Sequence, residues 1–292
     1  MYVVAGVTGH TGRGVADSLL AQGEKVRVIV RDPKQGDPWM QRGAEVAVAQ
    51  LGDAAAMARA LTGAKGAYLL VPPRYDVEDM LAVQRPLIDA LAEAVRRSGV
   101  PHVVLLSSLG GELSEGTGPI RSLHYAERTL GAATRNITFL RAGYFIENFA
   151  TVLPATQGGV LPTFLTPDRA IPMVATADIG RAAAELLLDP ATGTRVVELT
   201  STSDWSPNDV ARELSRILGR TITTRFAPSE AVVPAFTGMG MPRGVAELVR
   251  EMVDALNSGL IHSQSPPALR RYGQLGAGEV LKVLLEQAPS HA

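Results

Sequence analysis

Four glycines in the opening segment MYVVAGVTGHTGRG, Gly6, Gly9, Gly12 and Gly14, have a spacing that can hold a phosphate. A glycine turn between a strand and a helix bends sharply, approaches a pyrophosphate closely and offers free N–H groups at the positive end of the helix dipole. The same spacing occurs in turns that serve packing alone, so the flanks decide. Tyr2 to Ala5 is a short apolar strand and Val15 to Leu20 starts a helix, the setting of a dinucleotide site. A second chemical position follows about 20 residues later, where the β-branched run Lys25 to Val30 ends in Arg31-Asp32-Pro33. At that place a carboxylate accepts from a ribose 2′-hydroxyl, whereas an arginine suits a 2′-phosphate. Arg31 points to NADP, with NADPH preferred over NADH. The competing readings make Asp32 the NAD-type carboxylate and Arg31 an ordinary solvated loop residue.

The elements that must position these groups alternate along the chain. Lys25 to Val30, Ala44 to Ala49, Gly66 to Val71, Val103 to Leu106 and Ile137 to Leu140 read as strands. Asp37 to Arg42, Ala54 to Leu61 with Asp53 as its N-cap, Leu81 to Val95 across Pro86, and Leu123 to Ala133 read as helical. Such alternation requires parallel strands with helical crossovers, and ligands collect at their carboxyl ends. The expected fold is α/β, a Rossmann-type doubly wound parallel sheet. Arg31, Gln50, Val71, Pro72, Pro73 and Ser107 then share one edge. Residues 1–150 form the NAD(P)-binding domain, with 176–200 returning to it, and 151–292 a smaller substrate or lid lobe. Within that lobe Gly158 to Pro172 reads as a loop or short hairpin over the site. Thr221 to Phe226 reads as a strand, and Phe236 to Pro242, with Met239 and Met241, as an adaptable apolar lid or a loop whose methionines drop into the core.

Composition narrows the function classes. At 292 residues the chain can bury its own core. Its 28 basic and 29 acidic residues are scattered, so it has no basic face for nucleic acid or an anionic membrane. Cysteine is absent, which excludes disulfides and thiolate-bound metals, and no His/Asp/Glu cluster has metal-ligand spacing. Without a basic-then-apolar leader or a run of about eighteen apolar residues, a soluble, cytoplasmic protein is expected. Nothing in the sequence fixes the oligomeric state.

The segments GVTGHTG, VRVIVRDP and above all TFLRAGYFIENF (Thr138 to Phe149), with IPMVATADIGRAAAELL and VVELTSTSDWSPNDVARELSRILGR further on, resemble the NmrA-like branch of the atypical short-chain dehydrogenase/reductases. That group contains bacterial NAD(P)H:quinone reductases of the second type, azoreductases and NADPH-sensing regulators. The resemblance implies that Gly6, Thr8, Gly9, His10, Thr11 and Gly12 hold the pyrophosphate and Arg31 the ribose phosphate. It implies that Val71, Pro72, Pro73 and Ser107 line the path to the nicotinamide, and that Gly143, Tyr144, Phe145, Glu147 and Asn148 lie near cofactor and substrate. Two positions depart from the family pattern: Gln50 stands where an acidic residue often contacts adenine. Leu123 stands four residues before Glu127, where Lys or His is common.

Most reductases on this fold protonate a carbonyl with the tyrosine of a Tyr-x-x-x-Lys helix. None of the six tyrosines here has Lys four residues on, since Tyr125 is followed by Thr129 and Tyr144 by Asn148. A standard alcohol dehydrogenase is therefore disfavoured, whereas reduction of a quinone needs only one hydrogen-bond donor. Tyr144 and Asn148, one helical turn apart, are the catalytic candidates, their bland alternative being a capped helix packed on the sheet. His124 and Tyr125 lie on a helix expected to face the cofactor, His124 as a proton donor or a plain helix residue. Two functions compete: a reductase of a planar quinone-like or azo acceptor, and a non-catalytic NADP(H)-binding redox sensor.

Overall fold

The computed structural model describes residues 1–266 and 270–287. Its centre is an eight-stranded, wholly parallel sheet, with strands and helices numbered along the chain. The spatial order is β3 (Glu45–Val48), β2 (Val26–Val30), β1 (Tyr2–Val4), β4 (Gly66–Leu69), β5 (Val103–Ser108), β6 (Ile137–Ala142), β10 (Thr194–Thr200) and β12 (Arg271–Tyr272). The order reverses beside β1, the doubly wound arrangement expected from the alternating pattern. A single turn, α2 (Asp37–Met40), follows β2. One face of the sheet carries α1 (His10–Ala21) and α6 (Thr176–Leu188), whose apolar residues join Val4, Val28 and Val104 in one core. The other carries α3 (Ala54–Leu61), α4 (Met80–Ser98) and α5 (Arg121–Gly131) over Val3, Leu69 and Leu105. The central strands β1 and β4 read as continuous apolar runs because both faces are covered.

Local chemistry explains several boundaries. The Asp53 carboxylate accepts from the N–H groups of Ala55 and Ala56 and starts α3 where the sequence places it. Pro86 lies on the exposed side of α4, which continues to Ser98. The strand β5 runs two residues beyond its expected end, because Ser107 is buried with its hydroxyl satisfied by Glu127.

After Ala142 the chain leaves and re-enters the sheet. A two-stranded pair joins β7 (Tyr144–Phe145) to β9 (Met173–Val174), and a second joins β8 (Val160–Thr163) to β11 (Thr223–Phe226). Thus Gly158 to Pro172 forms no hairpin: β8 finds its parallel partner about sixty residues downstream. Helices α7 (Pro207–Leu218), α8 (Val232–Gly238), α9 (Arg243–Ser258) and α10 (Ala277–Gln287) complete the smaller lobe. Its core brings Val210, Leu214, Leu256, Ile261 and Leu281 against Ile146 and Phe149. Strand β12, from residues expected in that lobe, instead adds an edge to the large sheet beside β10.

Candidate active site

The glycine turn divides its work between packing and openness. Gly6 has φ +72°, and a Cβ there would lie 2.6 Å from the Leu70 side chain. At Gly12 a Cβ would lie 2.4 Å and 2.5 Å from the carbonyl oxygens of Gly6 and Ala5, so this glycine lets α1 pack onto β1. Gly14 meets α6 at Gly180, where a Cβ on Gly180 would come 2.6 Å from the Gly14 Cα. Gly9 differs: it is exposed, and a Cβ there would touch nothing closer than the Gly6 oxygen at 3.5 Å. It precedes α1, which no side chain caps and whose first turn holds no acidic residue. Thr8 and His10 flank it in solvent, and Thr11 turns inward at 7% exposure. The result is an open helix N-terminus with the character of an anion site.

Arg31 stands exposed just past β2 and makes no ion pair or hydrogen bond among the described residues. Asp32, its competitor, accepts from the Lys34 N–H at 3.0 Å and caps the short turn Pro33–Gln35. Gln50 is exposed beyond β3.

Beside the turn, at the carboxyl ends of β4, β5 and β6, opens a largely apolar cavity of about 390 Å³. It brings together eight of the expected residues: Thr11, Val71, Pro73, Ser107, Gly143, Tyr144, Phe145 and Asn148. Pro72 is not in its lining but offers its carbonyl to the Gln84 amide at 2.8 Å. Gly6, Thr8, Gly9, His10 and Gly12 stay in the turn, and Arg31 and Gln50 on the strand ends beyond it. Gly143 is shaped by packing, since a Cβ there would lie 2.8 Å from the Pro172 carbonyl oxygen, which accepts from the Tyr144 N–H.

The segment carrying Tyr144 and Asn148 is a strand followed by a 3₁₀ turn, Ile146–Thr151, in place of the α-helix that would set the two on one face. Both residues nevertheless line the cavity. Burial drives the Tyr144 phenol up to about 12, with Asn148 acting in the opposite direction. The hydroxyl therefore stays protonated and can donate a hydrogen bond. Glu147 faces elsewhere, holding the start of α6 through the Thr176 N–H and hydroxyl at 2.8 Å and 2.6 Å.

Ser107 donates to Glu127 at 2.6 Å, and Glu127 takes a two-pronged contact from Arg141, whose third nitrogen reaches Glu112 at 2.8 Å. Gln264 ties Glu112 to Glu198 and so to β10. This network braces one wall of the cavity without placing an ionised group in its lining. On α5, Ser122 and Leu123 line the cavity, whereas His124 and Tyr125 border a separate groove. The Tyr125 hydroxyl donates to Asp89 and the His124 ring meets the Gly111 carbonyl, so neither reaches the site. Methionines of the smaller lobe are placed differently from the expected lid: Met239 is 72% exposed, Met241 packs on Val232 and Val249, and the lining residues are Met252, Leu256 and Ile261.

Tyr75, Met80 and Gln84 also line the cavity and escaped the sequence reading. Gln84 left a signal: it interrupts the apolar stripe Met80, Ile88, Leu91 of α4, where a buried polar side chain calls for a reason. Among the described residues no cluster could hold a metal ion, and no helix is long and apolar enough to cross a membrane.

The model of the NmrA-like family matches residues 2–264. Quinone oxidoreductase 2 of Escherichia coli is 27% identical over 263 residues, covering 89% of this chain and 90% of that protein. The NAD(P)H azoreductase of Xenophilus azovorans is 25% identical over 254 residues, covering 86% of each. Among solved structures, the NADPH complex of an NADPH-dependent quinone oxidoreductase from Escherichia coli superposes with a TM-score of 0.84, at 24% identity, over 98% of this chain and 100% of that one.

Proposed function

Because the chain belongs to the NmrA-like family, we propose that it is an NAD(P)H-dependent reductase, preferring NADPH, that passes a hydride to a flat conjugated acceptor of the quinone or azo class. The observation that carries this reading is the apolar cavity of about 390 Å³ that runs from Thr11 beside the glycine turn to Tyr144 and Asn148. Its relatives' quinone and azo substrates support the acceptor class.

The residues fit a dinucleotide. The space over Gly9 and the uncapped start of α1 can receive a pyrophosphate, and the unpaired Arg31 can receive a 2′-phosphate. On this reading residues 1–150 with 176–200 hold the cofactor, and the smaller lobe closes over the acceptor through Met252, Leu256 and Ile261. When bound, the nicotinamide supplies the hydride. Val71, Pro73 and Ser107 flank the path, and the apolar walls exclude water. Tyr144, kept protonated by its burial and set beside Asn148 in the lining, donates a hydrogen bond to the acceptor oxygen or nitrogen on which negative charge develops. A hydroquinone anion is stabilised by conjugation, so one such donor suffices where a ketone would need a stronger acid.

The test is anaerobic NADPH oxidation with a panel of simple quinones and azo dyes. Turnover is expected in the parent, with a loss of about tenfold or more in kcat/KM for Tyr144→Ala and Asn148→Ala at little cost in NADPH affinity. Tight NADPH binding with no acceptor-dependent oxidation would leave the redox sensor as the function.

A further inference from the structure

Gln84 sits on α4, one turn after Met80, and is 2% exposed. Its amide nitrogen donates to the Pro72 carbonyl at 2.8 Å. A carbonyl can only accept, so this contact fixes which end of the amide is nitrogen and leaves Oε1 as the free end. That oxygen is buried and has no hydrogen-bond partner among the described residues. Gln84 belongs to the cavity lining, whose hydroxyl and amide donors, Tyr75 and Tyr144 among them, make no bond to this oxygen. Folded proteins rarely bury an acceptor unmatched, because its lost hydration is not returned. A donor brought into the cavity by a ligand would satisfy it.

We propose that Gln84 selects the acceptor: its Oε1 receives a hydrogen bond from an N–H or O–H borne by the acceptor, so that the site favours conjugated acceptors carrying an amino or hydroxyl substituent. This rests on the reductase reading and adds a second polar point to it. Tyr144 offers a donor to the ring oxygen being reduced, and Gln84 offers an acceptor to a substituent, so a ligand with both groups satisfies both residues. A site that buries an acceptor atom for a ligand donor penalises the analogue that lacks it, since the atom is then left unpaired.

The test compares 2-amino-1,4-naphthoquinone with 2-methyl-1,4-naphthoquinone, similar in shape but differing in the donor. Affinities are measured by calorimetry on protein saturated with NADP⁺, so that the two reduction potentials do not enter. The parent protein is expected to bind the amino compound about tenfold more tightly. Gln84→Met should bring the pair to within about twofold while NADP⁺ affinity stays near the parent value, with a modest fall in Tm for the lost contact to the Pro72 carbonyl. Gln84→Asn, which draws the amide back by one methylene, should also lose the preference and serves if Gln84→Met does not fold. Equal affinities in the parent, as a bound water at Oε1 would produce, overturn the assignment and leave the reductase reading standing. A preference surviving in a folded Gln84→Met protein overturns it as well. So does loss of NADP⁺ affinity in that variant, which assigns the oxygen to the cofactor. Failure of both quinones to bind or to be reduced removes the reductase reading and this proposal with it.

Discussion

At the scale of single residues, the cofactor preference turns on which of two neighbours is free. Asp32 spends its carboxylate on the turn that follows β2, and Arg31 beside it has no partner among the described residues. Charge-assisted contacts to a phosphate contribute about 1.5–3 kcal/mol, so Arg31→Ala is expected to weaken NADPH binding by about tenfold or more and to leave NADH binding unchanged. Calorimetry showing equal NADPH and NADH affinities in the parent would refute the assignment. The glycines separate in the same way. Gly9→Val projects into open space and should yield a folded protein, of near-parental Tm, that no longer binds NADPH. Gly12→Ala places a Cβ against two backbone oxygens and should lower stability by about 1–3 kcal/mol, read as a fall in Tm. An unchanged Tm for Gly12→Ala, or NADPH binding by a folded Gly9→Val protein, would contradict this division. The turn was legible as a motif, but its division was not, because spacing alone does not say which glycine meets backbone and which meets solvent.

At the scale of elements, the parts written locally were the parts read correctly. The Asp53 cap, the apolar strands and the long α4 all follow from neighbours a few residues apart. Strand β12 has two residues and no periodicity, and β8 depends on a partner in β11 that no local pattern announces. Helix α5 does face the cavity, through Ser122 and Leu123, but an amphipathic pattern does not say which of its residues reach it; Tyr125 turned toward Asp89 on α4. One element carries a pH signature of its own. His102, immediately before β5, is buried against Thr138, and desolvation, with Arg195 nearby, lowers its pKa from 6.5 to about 4. Below the usual value the unfolded chain takes a proton that the folded chain refuses, so stability falls as pH drops from about 6.5 toward 4. The Tm of His102→Gln should decline less steeply across that window than the parent's. Identical slopes would mean that other groups govern the decline. His102 lies at the amino end of the sheet, so NADPH affinity is expected to be unaffected.

At the scale of the whole molecule, the two proposed ligand sites draw on different stretches of chain. The phosphate turn needs only β1, α1 and the strands beside them, with α6 closing against Gly14. The acceptor side rests on a core in which α10 packs beneath Ile146 and Phe149, next to Tyr144 and Asn148. Ending the chain at Gly276 should therefore reduce acceptor turnover by about tenfold or more, measured as kcat/KM, while NADPH affinity falls much less. Equal losses in both would show that the lobes form one cooperative unit. The wholly parallel sheet extends this asymmetry into biosynthesis. Strands β1 to β4 can pair as they leave the ribosome, whereas the last sheet strand and the helix under the acceptor floor come from residues 271–287. Nascent chains can thus acquire the fold of the dinucleotide half while residues 271–287 are still being translated.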